Sequence, residues 1–582
     1  MASPIMILPE SFAARVRPIL QRLDDQRFIA RLWERDANLW TSDPALQHAI
    51  RNRLGWLSIA RVMESHVAEI QAVADGVRQA GFSHALLLGM GGSSLFAEVC
   101  RAIIGVAPGW LDLQVLDSTD PAAIATALQR APIERTLFLV SSKSGTTIEV
   151  SALANYCFEI VRQAVGPRAG QQFLAITDAG TPLETLAAGR SFRHLFVHGP
   201  TTGHDVGGRF SALTYFGLVP AALMGIDLRR LLAAAAAMST ACGPATSILE
   251  NPAAQLGALL GEAARIGKDK VTLLAPSRVS AFGAWAEQLI AESTGKAGKG
   301  LVPIDGEPLR DPRSYPSDRL FVEVQLTGEV DATLRAQATA VAEAGHPVAC
   351  LEWQDPYALG GEAVRWCVAT VIAAHLMQIN PFDEPNVQES KDRTAALLEQ
   401  VAKTGQLPQD VPHATDGPIA ISGSPRLSLG RTLSEAVQGL LQRLASDEYL
   451  AIVSFLPRTP ELDAAIAALR HAFATHLSQA TTLSIGPRYL HSIGQLYKGG
   501  PDRGGFLMLL ADDPRDLSVP SRPYSFGVLK RAQAWGDIRA LEQRNRRVLV
   551  LHLGDAPAKG LSRLMDVVKT WPTVPAAHAS GT

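Results

Sequence analysis

The sequence predicts an α/β protein built from more than one parallel sheet covered by helices. Three observations predict it. Short apolar runs alternate with helical stretches, the pattern of parallel strands buried on both faces. Two serine-rich, glycine-bearing turns each follow a strand-like run and lead into helix-like sequence. They are Gly89-Met90-Gly91-Gly92-Ser93-Ser94 after the run 85–88, and Ser141-Ser142-Lys143-Ser144-Gly145-Thr146-Thr147 after the run 137–140. Finally, the alternation restarts near Lys270 and again near Tyr449, in a chain of 582 residues that is too long for one core.

In chain order, residues 11–77 read as helices of mixed charge with Trp33, Trp40 and Trp56 among them, so 1–78 is taken as an N-terminal helical segment. A first α/β unit, 79–240, has strand-like runs at 84–88, 113–116, 137–140, 173–176 and 195–197. A second, 241–404, has runs at 270–274, 320–326 and 348–351 and closes in a helix around 370–379. The Pro/Gly-rich polar stretch 405–423 reads as a linker. A third α/β unit, 424–575, has runs at 449–455, 481–485, 506–510 and 548–553, and 576–582 reads as a frayed tail.

Composition narrows the function classes. The net charge of −2 gives no reason to expect nucleic acid or an anionic membrane as partner. Cys100, Cys157, Cys242, Cys350 and Cys367 are widely spaced without a C-x-x-C, and read as small buried residues in a reducing compartment. The first residues lack a basic region followed by a long apolar run, and the Ala-rich stretch 231–237 is too short to span a bilayer. A cytoplasmic protein is expected.

The turns point to a phosphate. Backbone N–H groups at a helix N-terminus attract anions, glycines permit close approach, and hydroxyls add neutral donors. There is no G-x-x-x-x-G-K-[ST] run, and the first turn fails the dinucleotide fingerprint, so a phosphorylated small molecule fits better than a nucleotide. Lys143 lies inside the second turn. Arg209, in the turn Gly207-Gly208-Arg209-Phe210-Ser211, can donate two parallel hydrogen bonds to an oxyanion. Gln288 and Glu292 are four apart on one helix face, with Glu292 in the last turn, where the helix dipole disfavours ionisation and suits a general base. Lys391 follows a proline-broken turn, and His491 precedes a glycine-rich one. Taken singly, these residues read as readily as a capping glutamate, a surface arginine pair, an exposed helix lysine and a structural histidine.

Taken in order, the segments at 89–93, 142–147, 207–211, 288–296 and 382–391 resemble the phosphoglucose isomerase family, with its GIGGS-type turn, SK-[ST]-x-TT loop, GGR-[YF]-S turn, Q-x-x-x-E-S-x-G-K helix and FD-x-x-x-V-E-x-x-K segment. The chain most resembles the isomerase portion of bacterial transaldolase–phosphoglucose isomerase fusions, without room for a transaldolase barrel. The resemblance implies two sugar-isomerase (SIS) domains, each a doubly wound parallel sheet, plus the additional C-terminal α/β domain. It implies interconversion of glucose 6-phosphate and fructose 6-phosphate through an enediolate, without cofactor or metal. Implied catalytic residues are Glu292, Arg209, Lys391 and His491. Implied substrate contacts are Gly91, Gly92, Ser93, Ser142, Lys143, Ser144, Thr146, Thr147 and Gln288.

Two departures matter. Gln388 stands where the family has a glutamate, and no G-x-x-G-Q-H string lies between Glu292 and Lys391, where residues 306–319 stand instead. The family histidine is commonly supplied across a dimer interface; His491 is expected to replace it from within the chain, which makes a monomer as credible as a homodimer. The alternatives are a non-catalytic SIS-domain sensor of sugar phosphates and an isomerase that also accepts mannose 6-phosphate.

Overall fold

The computed structural model describes residues 5–199, 206–408 and 411–571. The expected frayed tail lies outside them. The chain begins with a short strand, β1 (Met6–Leu8), and a run of helices from Glu10 to Gln79. The first sheet follows, with β2 (His84–Gly89), β3 (Asp112–Leu116), β4 (Thr136–Ser141), β5 (Phe173–Asp178) and β6 (His194–His198), all parallel in the order β3-β2-β4-β5-β6. β4 is buried throughout, which is why its sequence is a near-continuous apolar run.

The second sheet holds β7 (Lys270–Leu274), β8 (Val302–Ile304), β9 (Arg319–Leu326) and β10 (Val348–Trp353), in the order β1-β10-β9-β7-β8. Here the N-terminal segment departs from the helical expectation, because β1 pairs antiparallel with β10 and closes this sheet's edge. The third sheet contains β11 (Ala414–Asp416), β12 (Ile419–Gly423), β13 (Tyr449–Ser454), β14 (Ala480–Ile485), β15 (Gly504–Leu510) and β16 (Arg547–His552), in the order β11-β12-β16-β15-β13-β14. The expected linker is therefore half sheet. Residues 414–423 fold as a hairpin on β16, turning at Gly417, whose φ of +60° suits glycine.

In all three sheets the first parallel strand lies between the second and the third. The chain winds one way, then the other, and a crevice opens at the carboxyl ends where those strands part. In the first sheet these are β2 and β4, and Gly89 pairs with Ser141. The two hydroxyl-rich turns thus leave neighbouring strands at the same level, side by side at the crevice.

The third unit is joined to the others by shared cores. Phe526, Leu529 and Ala532 pack with Leu86, Leu88, Phe138 and Val140 of the first sheet and with Leu397 and Leu398 of the helix Pro385–Thr404. Tyr449, Val453 and Tyr489 pack with Ala291, Val302 and Ile304 of the second unit. Among the described residues no helix is long and apolar enough to cross a membrane.

Candidate active site

The first turn is held by backbone geometry. Gly91 has φ +54°, and a Cβ on Gly92 would lie 1.9 Å from the Gly208 carbonyl oxygen, so both positions require glycine. Ser141 Oγ donates to the Ser93 carbonyl at 2.8 Å and Ser211 Oγ to the Gly92 carbonyl at 3.1 Å, tying together three motifs that are distant in sequence. In the second turn, Gly145 has φ +64°, Ser142 Oγ donates to Thr147 Oγ1 at 3.2 Å, and Thr146 Oγ1 to Ser144 Oγ at 3.0 Å. Thr147 precedes the helix Ile148–Val165 without capping it through its side chain, so that helix presents N–H groups at the turn. Lys143 differs from expectation, since its Nζ donates to Asp178 Oδ2 at 2.6 Å.

Gln288 and Glu292 lie on the helix Phe282–Thr294 as their spacing predicts, with Gln288 Nε2 donating to Glu292 Oε2 at 3.4 Å. Glu292 is 7 % exposed, and burial raises its pKa to about 7; Arg209 works against the rise and Glu384 adds to it. The leading cause is thus loss of water, where the sequence pointed to the helix end. Arg209 spends every N–H. Its Nε donates to Ser293 Oγ at 3.0 Å, its Nη1 to Glu384 at 3.0 Å and Glu292 at 3.4 Å, and its Nη2 to the Pro381 and Asp383 carbonyls at 2.6 and 3.1 Å. It clamps the segment that leads to Lys391. Burial opposes the charge on Glu384, but Arg209 and Arg53 outweigh it and hold that carboxylate near 2. Lys296 also donates to Asp383, and burial brings its pKa down to about 8.

His491 comes from the third unit, at the end of the turn Arg488–His491 after β14. Its Nε2 lies 2.8 Å from Glu149 Oε1, and its carbonyl accepts from Gln288 Nε2 at 2.9 Å. The next residue, Ser492, donates to Glu287 at 3.0 Å. Burial disfavours a charged Glu149, but His491 more than compensates and its pKa falls below the usual carboxylate value. The pairing directs Nε2–H at the carboxylate and leaves Nδ1 as the acceptor, without a partner among the described residues.

A cavity of about 310 Å³ opens here, lined by Thr146, Thr147, Glu149, Lys391, His491 and Gln533 among others. The structure thus gathers Thr146, Thr147, Lys391 and His491 around one space. Glu292, Arg209 and Gln288 form an adjoining buried cluster, joined to it through the bond from Gln288 to His491. Gln288 Oε1 is buried there without a hydrogen-bond partner among the described residues, a placement that suits a hydroxyl donor. Ser93, Ser142, Lys143 and Ser144 do not line the cavity.

Glu149, Gln533 and Glu384 escaped the sequence reading. Glu149 follows the second turn closely and looks like an ordinary acid in a helix's first turn. Gln533 lies 384 residues from the glutamate it meets, with no local signal.

The chain is similar to known proteins. A model of the phosphoglucose isomerase family matches residues 58–305. A protein of Natronomonas pharaonis named probable glucose-6-phosphate isomerase is 30% identical over 383 residues, which are 60% of this chain and 85% of that one. The chain belongs to the phosphoglucose isomerase family. The glucose-6-phosphate isomerase of Carboxydothermus hydrogenoformans is 28% identical over 408 residues, again 60% of this chain and 85% of the relative. Among solved structures, a hypothetical protein of Thermus thermophilus shares the fold, with a TM-score of 0.57 at 23% identity, covering 67% of this chain and 99% of its own.

Proposed function

We propose that this family member interconverts glucose 6-phosphate and fructose 6-phosphate, with both halves of the reaction served from one chain. The observation that carries the reading is the buried Glu292, with a pKa of about 7, lying beside Arg209 on the helix whose Gln288 lies against Gly91 of the first turn. A base poised near neutrality accepts a carbon-bound proton and returns it as an acid.

Thr146 and Thr147 at the cavity wall, with Ser142 and Ser144 of the same turn and Ser93 of the neighbouring one, anchor the phosphate end, the N–H groups of Gly91 and Gly92 lie close to the sugar, and this remote binding orients the reacting carbons. In ring opening, the C1–O5 bond breaks, the Lys391 ammonium delivers a proton to the ring oxygen, and His491 Nδ1 takes the anomeric hydroxyl proton. Glu149 steadies the imidazolium that this forms, and ring closure of the product returns both protons. Glu292 then removes the C2 proton, the electrons pass to the C1 oxygen as the enediolate forms, the C2 hydroxyl proton moves to the C1 oxygen, and Glu292 returns a proton to C1 as C2 becomes the carbonyl. The 3.4 Å contact of Arg209 with Glu292 is its longest, and that N–H is the one to turn toward the enediolate oxygen. Such preorganised donors are worth about 3 kcal/mol of barrier. Gln288 holds a sugar hydroxyl through its open Oε1.

His491 meets Glu149 within a single chain, which supports an active monomer; sedimentation at assay concentration tests that. A coupled assay on glucose 6-phosphate tests the function. Glu292→Gln is expected to lose turnover by about a thousandfold or more while calorimetry still shows sugar-phosphate binding. Undiminished turnover in that variant ends the assignment.

A further inference from the structure

The helix Phe526–Gln543 of the third unit sends Gln533 to the cavity wall, 2% exposed. Its amide is held at both ends. Thr119 Oγ1 donates to Gln533 Oε1 at 2.8 Å, and Gln533 Nε2 donates to Glu149 Oε1 at 2.6 Å. Thr119 is fully buried in the loop after β3, so the first unit sets the orientation of an amide whose stem belongs to the third. With a hydroxyl proton on Oε1, the NH2 end is the one that faces the carboxylate. The same Oε1 of Glu149 also meets His491 Nε2. One carboxylate oxygen therefore takes two hydrogen bonds: one from an amide that never titrates, one from a ring that gains and loses a proton.

We propose that Gln533 is a positioning residue for ring opening, anchoring Glu149 so that His491 keeps Nε2 on the carboxylate and Nδ1 on the anomeric hydroxyl. This rests on the isomerase reading above. Without the amide, the Glu149 carboxylate is free to rotate, and the histidine loses the fixed partner that sets its tautomer. The third unit thereby supplies both the ring-opening histidine and the support for that histidine's partner.

The test uses the full chain and two substrates. Cyclic glucose 6-phosphate needs ring opening. A tetrose 4-phosphate, with its only ring-closing oxygen esterified, is always open, and deuterium exchange at its C2 by NMR reads the Glu292 step alone. For Gln533→Leu the ratio of cyclic turnover to open-chain exchange is expected to fall about tenfold or more, with KM for glucose 6-phosphate little changed. In Gln533→Glu that ratio recovers as pH is lowered, because a protonated carboxyl donates to Glu149 as the amide does and an ionised one repels it. Thr119→Val, which releases the amide from the other side, gives a smaller fall in the same direction and decides the matter should Gln533→Leu fail to fold. Equal losses on both substrates at every pH would make Gln533 a packing residue and overturn the proposal. Failure of the isomerase reading itself is seen separately, as a wild-type chain that turns over neither substrate.

Discussion

The first and third sheets wind in the same order, yet their crevices are used in opposite ways. In the first sheet the crevice between β2 and β4 presents glycine and hydroxyl turns. In the third, the space between the loops after β13 and β15 is filled by a side chain from the first unit. Asp120, 1% exposed, accepts from the Arg458 N–H at 3.0 Å and from Lys530 Nζ at 2.7 Å, and Lys530 also pairs with Asp513. A carboxylate of the protein thus sits where a sheet of this winding offers a place to an anion. The third unit acts instead through the loop after β14, which carries His491. One backbone plan yields a crevice rimmed by hydroxyl turns in one unit and a docking socket in the other, because the loops and not the strands differ.

His491→Ala breaks this division most severely. Removing the group that the third unit contributes is expected to cut turnover of cyclic glucose 6-phosphate by about a hundredfold, while exchange on an open-chain substrate falls much less. Equal loss on both would place His491 in the enediolate step and erase the separation between the two regions.

The two regions also treat a buried carboxylate differently, which pH exposes. Glu292 is 7% exposed with its pKa raised to about 7, whereas Glu149, at 3%, is held below the usual value by His491. Environment alone sends the two acids in opposite directions. Below about pH 7 Glu292 is neutral and cannot act as a base, so kcat/KM should fall about tenfold per unit on the acid side. The stability sign follows from the same shift. A pKa higher in the folded chain than in the unfolded one favours folding at low pH, and that contribution is lost as pH rises through about 7. Glu292→Gln should therefore gain stability over wild type at pH 8 and not at pH 4, by up to about 3 kcal/mol, in urea melts at the two values. A flat acid limb, or an equal gain at both pH values, would show that Glu292 titrates like an ordinary glutamate.

Legibility followed length and locality. The longer strands of all three sheets showed as apolar runs, since burial on both faces imposes them. β1, β8 and β11 are three residues each, too short for any periodicity, and β12 lies in a polar Pro/Gly stretch. Gln288 and Glu292 were legible because helical spacing puts them on one face. Arg209 was legible as a residue but not in its surroundings: the loop 381–384 that consumes its donors lies far along the chain. Glu149 and Gln533 were hidden because their meaning is a contact across units, which no local pattern encodes.

Lys143 gives the smallest expected effect and the finest test of how the first sheet's crevice holds an anion. Its position among hydroxyls suggested an ammonium aimed at the phosphate. The structure spends that charge on Asp178, with both side chains about a quarter exposed. A partly solvated pair of this kind contributes about 1 kcal/mol or less, and its net charge is close to zero. On the proposed reading, the remaining grip on the phosphate comes from neutral donors, the hydroxyls and the N–H groups at the start of the helix Ile148–Val165. Lys143→Met should accordingly raise KM for glucose 6-phosphate by about threefold to fivefold and leave kcat unchanged. A loss of thirtyfold or more in steady-state KM would mean that the lysine leaves Asp178 when substrate arrives, and that the crevice depends on a mobile cation and not on its turns.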